Sequence, residues 1–247
     1  KGPSGLGHPA EWPPRESSHL LRDRARGREG KGPSDLSRTQ GILPFPGILQ
    51  RPGGGSVLTL DIGCGRQKEA GAIGLDMNPA TDADVLADVS SSPLPVRPES
   101  VDRIFIRHII EHVDSPLRFM EELHAAARDG AEIEGVTPHF SNPCSFADPT
   151  HKHHFSLMFL NFFSGDGERA SSGWRLWANR FLECYSPPIP FYTRARFEII
   201  ERRITFCRLH RWIGVAWLAN KFPEIWEFHF SGFFRARDIV FRLRVRK

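Results

Sequence analysis

A chain of 247 residues, with 40% hydrophobic and 25% charged side chains, is long enough for one full α/β domain with additions and has the composition of an ordinary globular protein. No run approaches the roughly 18 consecutive apolar residues of a spanning helix, and no apolar signal-peptide core stands near Lys1, so a cytoplasmic protein is expected. The net charge of +4 is spread unevenly, with basic ends around an acidic middle; basic tails can contact nucleic acid or an anionic membrane surface, but solvated ends are the preferred reading.

Residues 1–40 are rich in Gly, Pro, Ser and Arg without apolar periodicity, which predicts a disordered basic tail. The domain is expected over 41–247, beginning with the proline-broken apolar piece 41–49 as an extended arm against it. After the glycines at 53–55, the runs at 56–62, 72–77, 84–89 and 101–107 read as short buried strands. A helix follows, with Ser115 as its cap, Pro116 in its first turn, Leu117, Met120, Leu123 and Ala127 on its apolar face, and Gly130 as its stop. A fifth strand is expected at 131–137. Strands alternating with turns or a helix predict a Rossmann-like α/β fold with a mostly parallel sheet. Residues 138–195, rich in Pro, His, Phe and Trp, read as a cap inserted after the fifth strand. A strand at 197–206, a helix at 209–221 and a half-exposed strand at 236–245 complete the chain.

The strongest chemical signal is the run D-I-G-C-G at 61–65, directly after a buried strand. Gly63 and Gly65 let the backbone turn tightly and approach a ligand closely, and ligands of open α/β sheets bind beyond the carboxyl ends of the strands. Asp76 closes the second strand, where it can accept from ribose hydroxyls, and Asp88 follows the third, near an adenine amine. A dinucleotide fold is the rival. Its G-x-G-x-x-G fingerprint places an acid about 20 residues on, whereas here Lys68 holds the third glycine position and Asp76 comes early. A nucleoside without a pyrophosphate fits better.

The runs L-D-I-G-C-G at 60–65, G-L-D-M-N-P at 74–79, A-D-V at 87–89, S-V-D-R-I at 100–104 and H-I-I-E-H-V at 108–113 together resemble the ordered motifs of class I S-adenosylmethionine-dependent methyltransferases, nearest to the bacterial type 11 kind. The resemblance covers roughly residues 55–160. It implies that Asp61, Gly63, Cys64 and Gly65 line the methionine end of S-adenosylmethionine. It also implies that Asp76 and Met77 hold the ribose, that Asp88 and Val89 lie at the adenine, and that Arg107 and His108 stand beside the transferred methyl group. The short interval between Gly65 and Asp76 leaves room for about one turn of first helix.

A second constellation, D-P-T-H-K-H-H-F-S at 148–156, lies in the inserted cap. His151, His154 and His108 are candidate general bases for an acceptor oxygen or nitrogen, with His112 and His139 as weaker ones. Ordering of the cap by these histidines is the preferred reading, and metal binding by the three histidines with Asp148 the least favoured, so no metal is expected. Four cysteines, Cys64, Cys144, Cys184 and Cys207, form no C-x-x-C pair, which argues for reduced thiols. The C-terminal aromatics, Trp212 to Phe234, are expected chiefly in the core, ahead of a membrane-docking surface or a dimer interface. The expected acceptor is a small molecule such as a sugar or other metabolite. A catalytically silent binding protein and a nucleic-acid methyltransferase are the alternatives, the latter without an N-P-P-Y tetrad after the fourth strand.

Overall fold

The computed structural model describes residues 49, 57–90, 93–164, 181–182 and 192–247. The proposed tail, most of the arm, Cys184 and part of the cap lie outside these residues. Leu49 is bridged to Val96, its amide donating to the Pro95 carbonyl at 2.9 Å, so the end of the arm does lie against the domain.

Seven strands form one sheet in the order β3-β2-β1-β4-β5-β7-β6. They are β1 (Thr59–Ile62), β2 (Ile73–Asp76), β3 (Val85–Leu86), β4 (Val101–Arg107), β5 (Ala127–Pro138), β6 (Arg196–Ile204) and β7 (Asp238–Arg246). The strands from β3 to β5 pair in parallel, whereas β7 runs antiparallel between β5 and β6. This is the mostly parallel Rossmann-like α/β architecture that the alternating sequence predicts. The β1, β4 and β5 interiors are built from Leu60, Ile62, Ile104, Ile106 and Ile133, all essentially inaccessible to water, as strands covered on both faces require. Along β7 buried and part-buried residues alternate, so Ile239, Phe241, Leu243 and Val245 share one face.

Helix α1 (Pro116–Ala126) starts as expected, Ser115 accepting from the Arg118 amide. It ends earlier than Gly130 predicts. Ala127 is already paired with Val101, and Gly130 instead supplies a positive φ of 76° in an irregular stretch of β5. Between β1 and β2 the expected helical turn is replaced by a non-helical loop. The segment expected as a cap contributes α2 (Pro143–Ala147) and a 3₁₀ helix (Leu157–Phe162). The helix expected at 209–221 is split into α3 (Arg208–Trp212) and α4 (Val215–Lys221) by Gly214 at φ 82°. A further helix, α5 (Pro223–His229), follows with proline in its first turn.

Only part of the aromatic stretch is core. Trp226 is buried against Phe206 and His139, but Trp212, Trp217 and Phe233 are largely exposed. Trp212 and Trp217 sit on α3 and α4, and Phe233 in the turn after α5.

Candidate active site at the switch point of the sheet

The chain runs outward from β1 through β2 to β3, then returns to place β4 on the other side of β1. Parallel strands whose connections leave in opposite directions open a crevice at their carboxyl ends, the usual ligand position of such sheets. Ile62 and Ile106 are in register there. The glycine loop after β1 and the pair Arg107–His108 at the end of β4 therefore meet at that crevice.

The loop is pinned to β2. The amides of Gly63 and Cys64 both donate to the Leu75 carbonyl, at 2.8 and 3.3 Å. The Gly65 amide donates to Asp76 Oδ2 at 2.9 Å, and Asp76 Oδ1 accepts from the Asn78 amide at 2.9 Å. Gly63 and Gly65 adopt φ of 66° and 55°. A Cβ on Gly63 would press on Ile109 at 3.1 Å, whereas one on Gly65 would meet nothing within 4 Å. Gly65 thus borders open space at the switch point.

Asp61 is fully buried. Its Oδ2 accepts from the Glu69 amide at 2.7 Å and from the Arg107 guanidinium. Burial pushes its pKa up, against the opposing pull of the Glu69 amide and Arg107. Its Oδ1 is buried and has no hydrogen-bond partner among the described residues. An unsatisfied buried acceptor is costly, and an ammonium donor such as that of a methionine moiety would satisfy it. Arg107 is committed to the loop, pairing also with Glu69 at 3.1 Å and with the Gln67 carbonyl at 3.2 Å. These contacts hold the guanidinium against the glycine loop at the end of β4.

The remaining expected cofactor residues divide. The Cys64 thiol is buried and packs close to Gly74; burial pushes its pKa up to about 11. Met77 is exposed. Asp88 Oδ1 accepts from the Ser90 amide at 2.9 Å, and Val89 is packed against the core.

On the β4 side, His108 takes a left-handed φ of 55° while its amide donates to the Val136 carbonyl at 2.8 Å. A non-glycine residue held there is uncommon and needs a supporting surround. Its Nδ1 lies 3.3 Å from Oε1 of the buried Glu111, whose Oε2 accepts from the Thr137 hydroxyl at 3.0 Å. The part-buried Asp238 carboxyl lies close by; desolvation raises its pKa, and the charge of His108 partly offsets this.

The D-P-T-H-K-H-H segment is fastened to the same loop. The amides of Lys152 and His153 donate to the Glu111 carbonyl at 2.8 and 3.2 Å, and Lys152 pairs with Asp114 at 2.6 Å. This brings His151 against His112, ring centroids 4.7 Å apart. His154 is exposed and stacked on Phe146, its Nδ1 2.8 Å from the Ser145 hydroxyl. His139 is buried elsewhere. It accepts at Nδ1 from the Ser141 amide and donates at Nε2 to Glu227, which also accepts from Ser156 and the Leu157 amide. That network ties α5 to the cap and leaves His139 no part at the crevice.

Sequence reasoning missed Glu69, Glu111 and Asp238. Glu111 stood within the H-I-I-E-H-V run, where a carboxylate beside two histidines was the available signal. Glu111, His112 and His151 each bring one ligand atom within 4.8 Å of the others.

No family model matches the chain, and no curated protein matches it in sequence. Among solved structures, it is similar to an S-adenosylmethionine-dependent methyltransferase from Archaeoglobus fulgidus, at 17% identity and TM-score 0.43 over 77% of this chain and 86% of that one. It is similar to another from Mesorhizobium loti, at 17% identity and TM-score 0.42 over 78% and 93%. A phosphoethanolamine N-methyltransferase from Haemonchus contortus, in complex with S-adenosyl-L-methionine, matches at 12% identity and TM-score 0.43 over 79% of this chain and half of that one. Many of the solved structures that match this chain are thus S-adenosylmethionine-dependent methyltransferases.

Proposed function

We propose that the chain transfers a methyl group from S-adenosylmethionine to an oxygen or nitrogen of a small-molecule acceptor. The observation that carries this reading is the glycine loop at the switch point, open over Gly65 and framed by the carboxylates of Asp61 and Asp76. Asp61, Gly63 and Gly65 would hold the methionine end of the donor, Asp76 its ribose, and Asp88 with Val89 its adenine. S-adenosylmethionine supplies, when bound, an electrophilic methyl on a sulfonium centre.

The residues of the chain then have three tasks. Arg107 keeps Asp61 and the loop in place through its pairs with Asp61 and Glu69. His108 takes the proton from the acceptor, and Glu111 steadies the resulting imidazolium through Nδ1. The cap docked by Lys152 and His153 limits water at the crevice. A small acceptor is favoured over a polyanion because the basic C-terminal strand is internally compensated: Arg242 pairs with Glu201, Arg244 with Glu132 and Arg246 with Glu198. A bacterial type 11 affiliation and a cytoplasmic location belong to the same reading. No helix among the described residues is long and apolar enough to cross a membrane.

The test is calorimetric titration with S-adenosylmethionine and its demethylated product on wild type and Gly65→Asn. Asparagine tolerates the left-handed conformation, and its side chain would fill the space over the loop. Micromolar binding weakened at least about tenfold in a variant that still melts cooperatively is the expected result. Absence of binding to the folded wild type overturns the reading.

A further inference from the structure

We propose that Glu111, His112 and His151 form a binding site for a single zinc ion, against the sequence-based expectation of no metal. One ring nitrogen from each imidazole and a carboxylate oxygen lie within 4.8 Å of one another. Three points so spaced fit inside a circle of radius about 2.8 Å, against zinc–ligand distances of about 2.0–2.2 Å, so each ligand atom needs to move by less than about 1 Å.

The tautomers favour ligation. His151 Nδ1 lies 2.9 Å from the Ser145 carbonyl. A carbonyl only accepts, so Nδ1 carries the proton and Nε2 keeps its lone pair. His112 Nδ1 lies 3.2 Å from the Thr150 carbonyl and 3.0 Å from the Thr150 hydroxyl. That hydroxyl donates its own proton to Asp148 at 2.6 Å, so it too accepts from His112. Both imidazoles are therefore held as Nδ1–H donors with Nε2 available. This is the arrangement by which metal-binding histidines are oriented through their second nitrogen.

Glu111 supplies the charge argument. It is 1% exposed, and among the described residues no Lys or Arg pairs with it; its side-chain partners are Thr137 and His108. A buried carboxylate so placed is compensated by a divalent cation. The two loops that carry the ligands are already joined at the Glu111 carbonyl by the amides of Lys152 and His153. Asp148 Oδ2, 3.8 Å from His151 Nε2, adds negative charge at the edge of the site. Two histidines, one carboxylate and no thiolate form the open kind of zinc site, which keeps a position for water or an acceptor hydroxyl. What the ion does for a methyl acceptor rests on the proposed function; whether it binds does not.

The experiment is calorimetric titration of the metal-depleted full chain with Zn(II), with Co(II) absorption as a second probe. The expected result is a saturable site of micromolar or tighter affinity, with visible Co(II) bands of low coordination number. His112→Asn and His151→Asn each weaken it at least about 30-fold, while His229→Asn, an exposed histidine of α5 whose ring serves the Leu182 carbonyl, leaves it unchanged. Circular-dichroism melts establish that each variant is folded; if His151→Asn is not, the part-buried His112 carries the test. Absence of saturable binding to folded wild type, or equal affinity in wild type and the folded ligand variants, overturns the proposal. Zinc binding without S-adenosylmethionine binding overturns the proposed function alone.

Discussion

Arg107, the last residue of β4, closes its guanidinium on the carboxylate of Asp61 in the neighbouring β1. Asp61 is fully buried and the Arg107 side chain only 10% exposed, so the pair is shielded from water. Replacing one partner leaves an uncompensated buried charge, a change that costs about 3–5 kcal/mol. Arg107→Met is expected to lower urea stability by about that amount, and Asp61→Asn/Arg107→Met to recover a substantial part of it. A double variant no more stable than Arg107→Met would show that Arg107 acts mainly through Glu69 and the Gln67 carbonyl.

Gly135 of β5 stands opposite Phe241 of β7, and a Cβ built on Gly135 would overlap the Phe241 ring. The ring is buried in the sheet core. Gly135→Ala is expected to destabilise by at least about 1–3 kcal/mol through overpacking. Phe241→Leu should relieve this, so that Gly135→Ala/Phe241→Leu unfolds at higher denaturant than Gly135→Ala alone. Equal or lower stability of the double variant would place the strain elsewhere.

The strands around this pair were readable because buried parallel strands are short apolar runs, and because β7 alternates cleanly. Gly130 misled because the same residue type serves a helix stop and an irregular strand; only the pairing of Ala127 with Val101 decides between them. Gly214 broke a helix that composition alone would continue. Within the candidate site, the glycine loop was legible since its chemistry is local. The engagement of Arg107 was not, because Asp61 lies 46 residues away and no periodicity links them. Glu111 was visible as a residue, but its meeting with His151 depends on the cap folding back over the β4–α1 loop.

The cysteines should separate by reactivity. Cys64 is buried with its pKa pushed up to about 11, whereas Cys144 and Cys207 are exposed. At pH 8 the Cys64 thiolate fraction is about one in a thousand, and the thiolate is the nucleophile. Brief maleimide treatment followed by peptide mass spectrometry is expected to find Cys144 and Cys207 modified and Cys64 protected until denaturant is added. Early modification of Cys64 would mean that the glycine loop opens in the folded protein.

His124, in the last turn of α1, gives a pH dependence whose sign is fixed. Its Nε2 lies 2.9 Å from the Arg246 carbonyl and its ring packs edge-on against Phe197. Burial is the largest influence and lowers its pKa below the ordinary 6.5, outweighing the favourable contact with the carbonyl. The unfolded chain therefore binds a proton at a higher pH than the native one does. The neutral ring's contribution is fully present above the unfolded pKa and is lost as pH falls through the lowered folded value. Urea stability is expected to decline from about pH 7 to about pH 5 in wild type and to decline less in His124→Gln, so that the two curves converge on acidification. Parallel curves across that window would show that other groups carry the acid sensitivity and that His124 protonates in the native state without penalty.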